Sequence, residues 1–220
     1  MLSDLINEFK DVINPKDVFN YFEFDIAKEE IISSKSNIIF LLGDPGSGKS
    51  FMFSYIKYNY PKKYSLISTP YKKITSSDLA YKKILIDEAQ LLSKEKLEYF
   101  RILSDRGYQI IFAMHKEEGE KIAALPQFNS RYIHKVYMPN LSFNEFEKFV
   151  MSKFIKHNRY ELVNKKNLKK IYKYTKGNFR LSKKFIFTAL SLLNFSFEHS
   201  LKYKKIDSCI VEMSAIELGF

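Results

Sequence analysis

The stretch Asn37-Ile38-Ile39-Phe40-Leu41-Leu42-Gly43-Asp44-Pro45-Gly46-Ser47-Gly48-Lys49-Ser50 decides the fold. Its apolar run ends at a glycine, which is how a strand buried on both faces of a parallel sheet reads. Gly43 to Ser50 then fit the pattern Gly-x-x-x-x-Gly-Lys-Ser in full. The glycines let the backbone turn tightly, so that successive N–H groups converge on phosphate oxygens. The helix that must follow adds partial positive charge at its N-terminus. Glycine is scarce in this chain, with 7 in 220 residues, so a loop holding three of them is not a product of composition.

Within this loop Gly43, Asp44, Pro45, Gly46, Ser47, Gly48, Lys49, Ser50 and Phe51 are the expected nucleotide-binding residues. Lys49 is placed to reach the β- and γ-phosphates of ATP, and the Ser50 hydroxyl to ligate Mg²⁺. Working outward, a helix is expected from Gly48 to about Asn59, closed by Pro61. Further strands are expected at Tyr64 to Ser68 (stopped by Thr69-Pro70), Lys83 to Asp87, Tyr108 to Met114 and Tyr132 to Met138. A helix from Lys94 to Asp105 carries Leu97, Phe100 and Leu103 on one face and is closed by Gly107. Strands alternating with helices argue for a parallel α/β sheet. Residues 1–36 read as mostly helical, broken at Pro15.

The strand Ile84-Leu85-Ile86 delivers two adjacent carboxylates, Asp87 and Glu88, at its C-terminal end, where open α/β sheets bind ligands. Asp87 is placed to hold Mg²⁺ and Glu88 to orient the attacking water, which makes Glu88 catalytic together with Lys49. Three further residues are catalytic candidates. His115 follows the fourth strand, whose tip in sheets of this kind lies beside the phosphate loop; the alternative is an ordinary surface histidine. Arg131 precedes the fifth strand and can be offered to a neighbouring subunit's ATP, or else forms a surface salt bridge. Arg180 opens a later helix and can bend back onto the phosphates.

After Pro139 the period changes to that of helices. Ser142-Phe143-Asn144-Glu145 reads as a capping box. Helical stripes follow at Phe146, Phe149 and Val150, at Leu168, Ile171 and Thr175, from Asn178 to Leu193, and from Lys202 to about Ile216. The expected organisation is therefore an α/β domain over 1–138 and a small all-helical lid over 139–220. The net charge is +11, and the lid holds 16 Lys/Arg against 7 Asp/Glu. Lys165, Lys166, Lys169, Lys170, Lys173 and Lys176 fall within an arc of about 140° on an ideal helix. No acidic residue interrupts them. That face is expected to dock on an anionic surface, membrane lipid or an acidic partner ahead of a specific DNA sequence, since no arginine is there to read bases.

A single cysteine, Cys209, forms no intrachain disulfide and no cysteine metal site. No stretch reaches the ~20 apolar residues of a membrane span, and the first residues lack the pattern of a signal peptide. A cytoplasmic protein, peripheral at most on the inner membrane, is the expectation.

The combination of glycine loop, Asp-Glu strand end, polar residue after the fourth strand, arginine before the fifth and helical lid with its own arginine resembles the AAA+ P-loop ATPases. Within that family it is similar to the general secretion pathway protein A type. Asp87-Glu88-Ala89-Gln90 and Thr175-Lys176-Gly177-Asn178-Phe179-Arg180-Leu181 match that type, except that Phe179 stands where proline is common. The resemblance implies a P-loop NTPase with a parallel five-stranded sheet flanked by helices, followed by an AAA+ lid. It also implies ATP hydrolysis with Mg²⁺, homo-oligomers, and work for a type II secretion, pilus or DNA-uptake apparatus. The alternative is a DNA-metabolism ATPase of the helicase-loader or transposition-regulator kind, its basic lid touching nucleic acid without sequence preference. Glu88 argues against a nucleotide-binding module that does not turn over.

Overall fold

The structure, a computed structural model, describes residues 2–68 and 73–220. The expected stop at Thr69-Pro70 lies outside the described residues. Two helices, α1 (Ser3–Asn7) and α2 (Phe22–Ser33), come first. Then follow β1 (Ile38–Leu42), α3 (Lys49–Asn59), β2 (Tyr64–Ile67), β3 (Lys83–Ile86), α4 (Lys94–Asp105) and β4 (Gln109–Met114). The chain continues through α5 (Lys116–Ala123), α6 (Pro126–Asn129), β5 (His134–Tyr137), α7 (Phe143–Lys156), α8 (Lys165–Thr175), α9 (Phe179–Glu198) and α10 (Ser208–Glu217). These elements form two compact units, Ile13–Pro139 and Met1–Val12 with Asn140–Phe220.

In the sheet unit the strands run parallel in the order β2-β3-β4-β1-β5, as the buried apolar runs imply. Every residue of β1 and β4 is buried. The register pairs Leu42 with Met114 and Ile86 with Phe112, so the residues following β1, β3 and β4 leave the sheet at one edge. Below that edge Phe40, Phe112 and Phe128 pack edge to face, with centroids 5.5 to 6.3 Å apart. Such pairs contribute about 1 kcal/mol each beyond their buried area.

The sequence pattern does not reveal α5 and α6. Gly119 sits mid-helix in α5 because a Cβ there would collide with the Leu42 side chain. A glycine that weakens the helical signal thus permits the close approach of α5 to the end of β1.

The helical unit begins with the expected box: Ser142 Oγ accepts the Glu145 N–H at 3.3 Å, and Glu145 Oε2 accepts the Ser142 N–H at 2.9 Å. Leu168, Ile171 and Thr175 are the buried side of α8, as their spacing requires. The last helix starts at Ser208 rather than Lys202. Asp207 Oδ1 accepts the N–H groups of Cys209 and Ile210 and so sets the first turn there. No helix among the described residues is long and apolar enough to cross a membrane.

Residues 2–12 pack with this helical unit, where the expected division put them with the sheet. Leu5 and Phe9 are buried, and the Phe9 ring meets Phe149 and Phe154 at 5.9 and 6.0 Å. Glu8 Oε2 lies 3.0 Å from Lys153 Nζ, while Oε1 lies 2.5 Å from Lys156 Nζ and 3.1 Å from His157 Nε2. Burial raises the Glu8 pKa, but the hydrogen bonds from these three groups outweigh it and hold the carboxyl at about 2. A carboxyl held low in the folded state contributes its stability above its ordinary value near 4.5 and loses it as pH falls toward 2. Full loss corresponds to about 3 kcal/mol. Glu8→Gln is expected to lower urea-unfolding stability by about 2–3 kcal/mol at pH 7. The gap to the parent should shrink by about half or more at pH 3. An equal gap at both pH values would disprove the charge-based role.

Candidate functional site

Gly43 sits where only glycine fits: a Cβ built there would lie 2.5 Å from Met138 O and 2.7 Å from Ser47 Oγ. Gly46 and Gly48 take φ values of +81° and +104°, conformations that other residues rarely adopt. The loop therefore needs its glycines for closeness and for turning. It delivers α3 with Gly48 as its N-cap and no side chain bonded to the cap, so first-turn N–H groups face outward toward an anion. Lys49 is buried, and its Nζ lies 2.9 Å from the carbonyl oxygens of both Gly43 and Asp44. Ser47 Oγ is buried in the loop without a hydrogen-bond partner. Phe51 packs its ring on Phe24 at 5.9 Å, so it offers the loop only its backbone N–H.

The end of β3 comes to the same place. The Ser50 hydroxyl hydrogen-bonds to the Asp87 carboxyl, joining the two residues expected to share Mg²⁺. Burial pushes the Asp87 pKa up, and the Glu88 charge adds to this. The Ser50 bond, the Glu88 N–H at 3.0 Å from Asp87 Oδ1 and the Lys49 charge pull it down. Glu88 itself sits at φ +48°, ψ +41°, a left-handed conformation that costs a non-glycine residue about 1 kcal/mol or more. His115, the N-cap of α5, places Nε2 3.7 Å from Glu88 Oε2 and Nδ1 3.9 Å from Glu118. The fourth-strand histidine is thus brought to Glu88.

Sequence reasoning gave no role to Gln90. Its Nε2 donates to Glu88 Oε2 at 2.5 Å, and its own Oε1 is buried without a partner. Gln90 therefore positions the Glu88 carboxylate. The signal was the Asp-Glu-Ala-Gln run itself, which places an amide two residues beyond the acid.

The two arginine candidates have other described partners. Arg131 precedes β5 at the opposite edge of the sheet. Its Nε and Nη2 bind the two Asp105 oxygens at 3.1 and 2.9 Å, and Nη1 donates to Gln127 O at 2.7 Å. It does not approach this chain's own loop. Arg180 is in the helical unit, with Nε 3.3 Å from Asp11 Oδ2 and both side chains more than half exposed.

The residues at the sheet edge fit a nucleoside triphosphate with magnesium. The glycine cradle admits phosphate oxygens against backbone N–H groups, the buried ammonium supplies charge, and the orphaned Ser47 hydroxyl supplies a donor. The Ser50–Asp87 pair offers the hard oxygen donors that Mg²⁺ takes.

No family model matches the sequence, and no curated protein does. Among solved structures the chain is similar to RuvB of Thermotoga maritima, described as a Holliday junction branch migration motor. That likeness has a TM-score of 0.59 at 17% identity over 89% of this chain and 67% of that one. It is similar to domain III of the replication initiation protein DnaA of Thermotoga maritima, with a TM-score of 0.61 at 18% identity over 95% of each chain. The Aeropyrum pernix ORC2 protein follows with a TM-score of 0.54 at 12% identity, over 89% of this chain and 66% of that one. These likenesses show the AAA+ P-loop ATPase fold.

Proposed function

We propose that this chain binds ATP with Mg²⁺, hydrolyses it, and uses the turnover as a motor or switch in DNA metabolism. One observation carries the chemistry: Lys49, the Ser50–Asp87 pair and the Glu88–His115–Gln90 cluster meet at one sheet edge. Lys49 and the α3 N-terminus neutralise phosphate charge. Ser50 and Asp87 hold magnesium, which supplies further charge to the phosphates. Glu88, fixed by Gln90, orients a water and takes its proton at a carboxylate oxygen. His115 stands beside Glu88 to contact that water or the terminal phosphate.

Two of the neighbours named above are described as a Holliday junction branch migration motor and a replication initiation protein, which supports DNA metabolism over the secretion, pilus or DNA-uptake reading. The positive charge of the helical part fits an anionic partner under either reading and does not choose between them. The test is the ATPase rate of the purified protein alone, with duplex or single-stranded DNA, and with anionic liposomes. DNA should raise the rate several-fold and liposomes should not. Stimulation by liposomes with no response to DNA would overturn the DNA reading in favour of the secretion one.

Arg131 belongs to this proposal as an arginine acting in trans between copies of the chain. Its bonds to Asp105 and Gln127 hold it in a surface salt bridge away from its own loop, and an arginine acting in trans would have to leave that pairing. Mixing inactive Arg131→Ala with inactive Lys49→Ala protein is expected to restore part of the ATPase activity, since one supplies the site and the other the arginine. Absence of recovery in mixtures shown to co-assemble would remove Arg131 from the site.

A further inference from the structure

The lysines of α8 form one open surface. Lys165, Lys166, Lys169, Lys170 and Lys173 line a single shallow groove of about 450 Å³. The structure separates them into two kinds. Lys165 is paired with Glu147 of α7 at 2.7 Å. Lys170 bonds to Ser208 Oγ at 3.0 Å and lies 3.5 Å from Glu212 of α10. Lys166, Lys169 and Lys173 are exposed, and no ion pair is described for them. The ammonium groups of Lys165 and Lys169 stand over the Phe143 ring, 5.6 and 5.8 Å from its centre, which steadies that end of the row.

We propose that this face binds the phosphate backbone of double-stranded DNA without reading its sequence, through Lys166, Lys169 and Lys173. The proposal rests on the DNA-metabolism reading above and names the surface that would serve it. The charges are complementary. From Lys166 to Lys173 the helix rises about 10 Å. A duplex presents about one negative charge per 1.7 Å of its length, so several phosphates face the three free ammoniums at once. The arc holds lysine and no arginine, which suits point-charge contact with phosphate and not bidentate base recognition.

The packing of α8 sets DNA ahead of a lipid surface. A helix that lies in a membrane interface buries an apolar face among the acyl chains. Here the apolar side of α8, Leu168 and Ile171, is buried inside the protein. The lysine arc itself offers no apolar anchor. Lipid would have to hold the face by charge alone.

The experiment uses the full chain and a short fluorescent duplex, read by anisotropy between 50 and 200 mM salt without nucleotide. The parent should bind with log K falling linearly against log salt. Lys166→Glu/Lys169→Glu/Lys173→Glu should weaken binding about tenfold or more at 50 mM salt and flatten the slope by about two to three. The neutral set Lys166→Gln/Lys169→Gln/Lys173→Gln should give an intermediate loss. Unchanged thermal unfolding of both variants shows that the fold is retained, as expected for exposed side chains. Two parent-like binding curves would overturn the surface assignment while leaving the DNA reading standing. A parent that does not bind duplex at 50 mM salt would remove both. Vesicles of one-quarter anionic phospholipid form the second arm. Binding there that is tighter than to duplex, and lost in the triple variant, would make the face a membrane surface and overturn the proposal.

Discussion

Lys49→Ala is expected to remove ATP binding, with affinity falling by roughly 30-fold to several thousand-fold. That range corresponds to the 2–5 kcal/mol typical of truncating one partner of a buried charged contact. Lys49 is almost wholly buried, so no solvent exchanges for the lost ammonium. Calorimetry with a slowly hydrolysed ATP analogue measures the effect directly. The same loss should appear as a missing nucleotide-induced rise in Tm, because a ligand stabilises the fold only in proportion to its binding. One competing explanation has to be separated. The Lys49 ammonium also ties the Gly43 and Asp44 carbonyls together, so its removal could loosen the loop instead of merely deleting charge. Lys49→Met keeps the packing of the aliphatic stem while removing the charge. If Lys49→Met binds ATP as the parent does, the ammonium is dispensable, the loss in Lys49→Ala comes from the missing aliphatic stem, and the assignment fails.

Much of this site was legible because its chemistry is sequential. The cradle from Gly43 to Ser50 is contiguous, and the apolar runs on either side fix which edge of the sheet it occupies. Asp87-Glu88 was legible from its position: an acidic strand end alone is common, but this one closes the third strand of the same sheet, at the edge where open α/β sheets bind ligands. His115 was placed by strand order, since β4 lies next to β1 and its last residue pairs with the residue before Gly43. What stayed hidden depends on contacts that sequence does not order. The Asp105 clamp on Arg131 joins residues 26 positions apart. The attachment of residues 2–12 to the helical unit joins Leu2 to Asn194 through a 3.0 Å bond. The α5 helix hid behind Gly119, whose purpose is visible only once Leu42 is seen against it. The lysine arc of α8 was legible as a pattern, yet the acidic partners of Lys165 and Lys170 come from α7 and α10. The free charge is therefore smaller than the row suggests.

Glu88→Gln is expected to leave ATP affinity within about threefold of the parent and to lower turnover by roughly 10²–10⁴. The two effects separate because the residues separate. Binding rests on the glycine loop, Lys49 and the α3 N-terminus, and none of these is a described hydrogen-bond partner of the Glu88 side chain. The change is nearly isosteric, so it tests charge and not shape. The strained backbone at Glu88 should survive it, since glutamine is no less able than glutamate to hold φ +48°. The Gln90 contact can also persist, because the new amide keeps a carbonyl oxygen that accepts from Gln90 Nε2. What is lost is the anionic oxygen that receives a proton from water as it attacks. His115→Ala provides the contrast. It removes a neighbour 3.7 Å from the Glu88 carboxylate without removing the base, and its effect on turnover should be smaller. Single-turnover hydrolysis with protein in excess over ATP separates the chemical step from product release. Parent-rate hydrolysis by Glu88→Gln under those conditions would mean that the water is activated by another group, and that the acid at the end of β3 serves the metal alone.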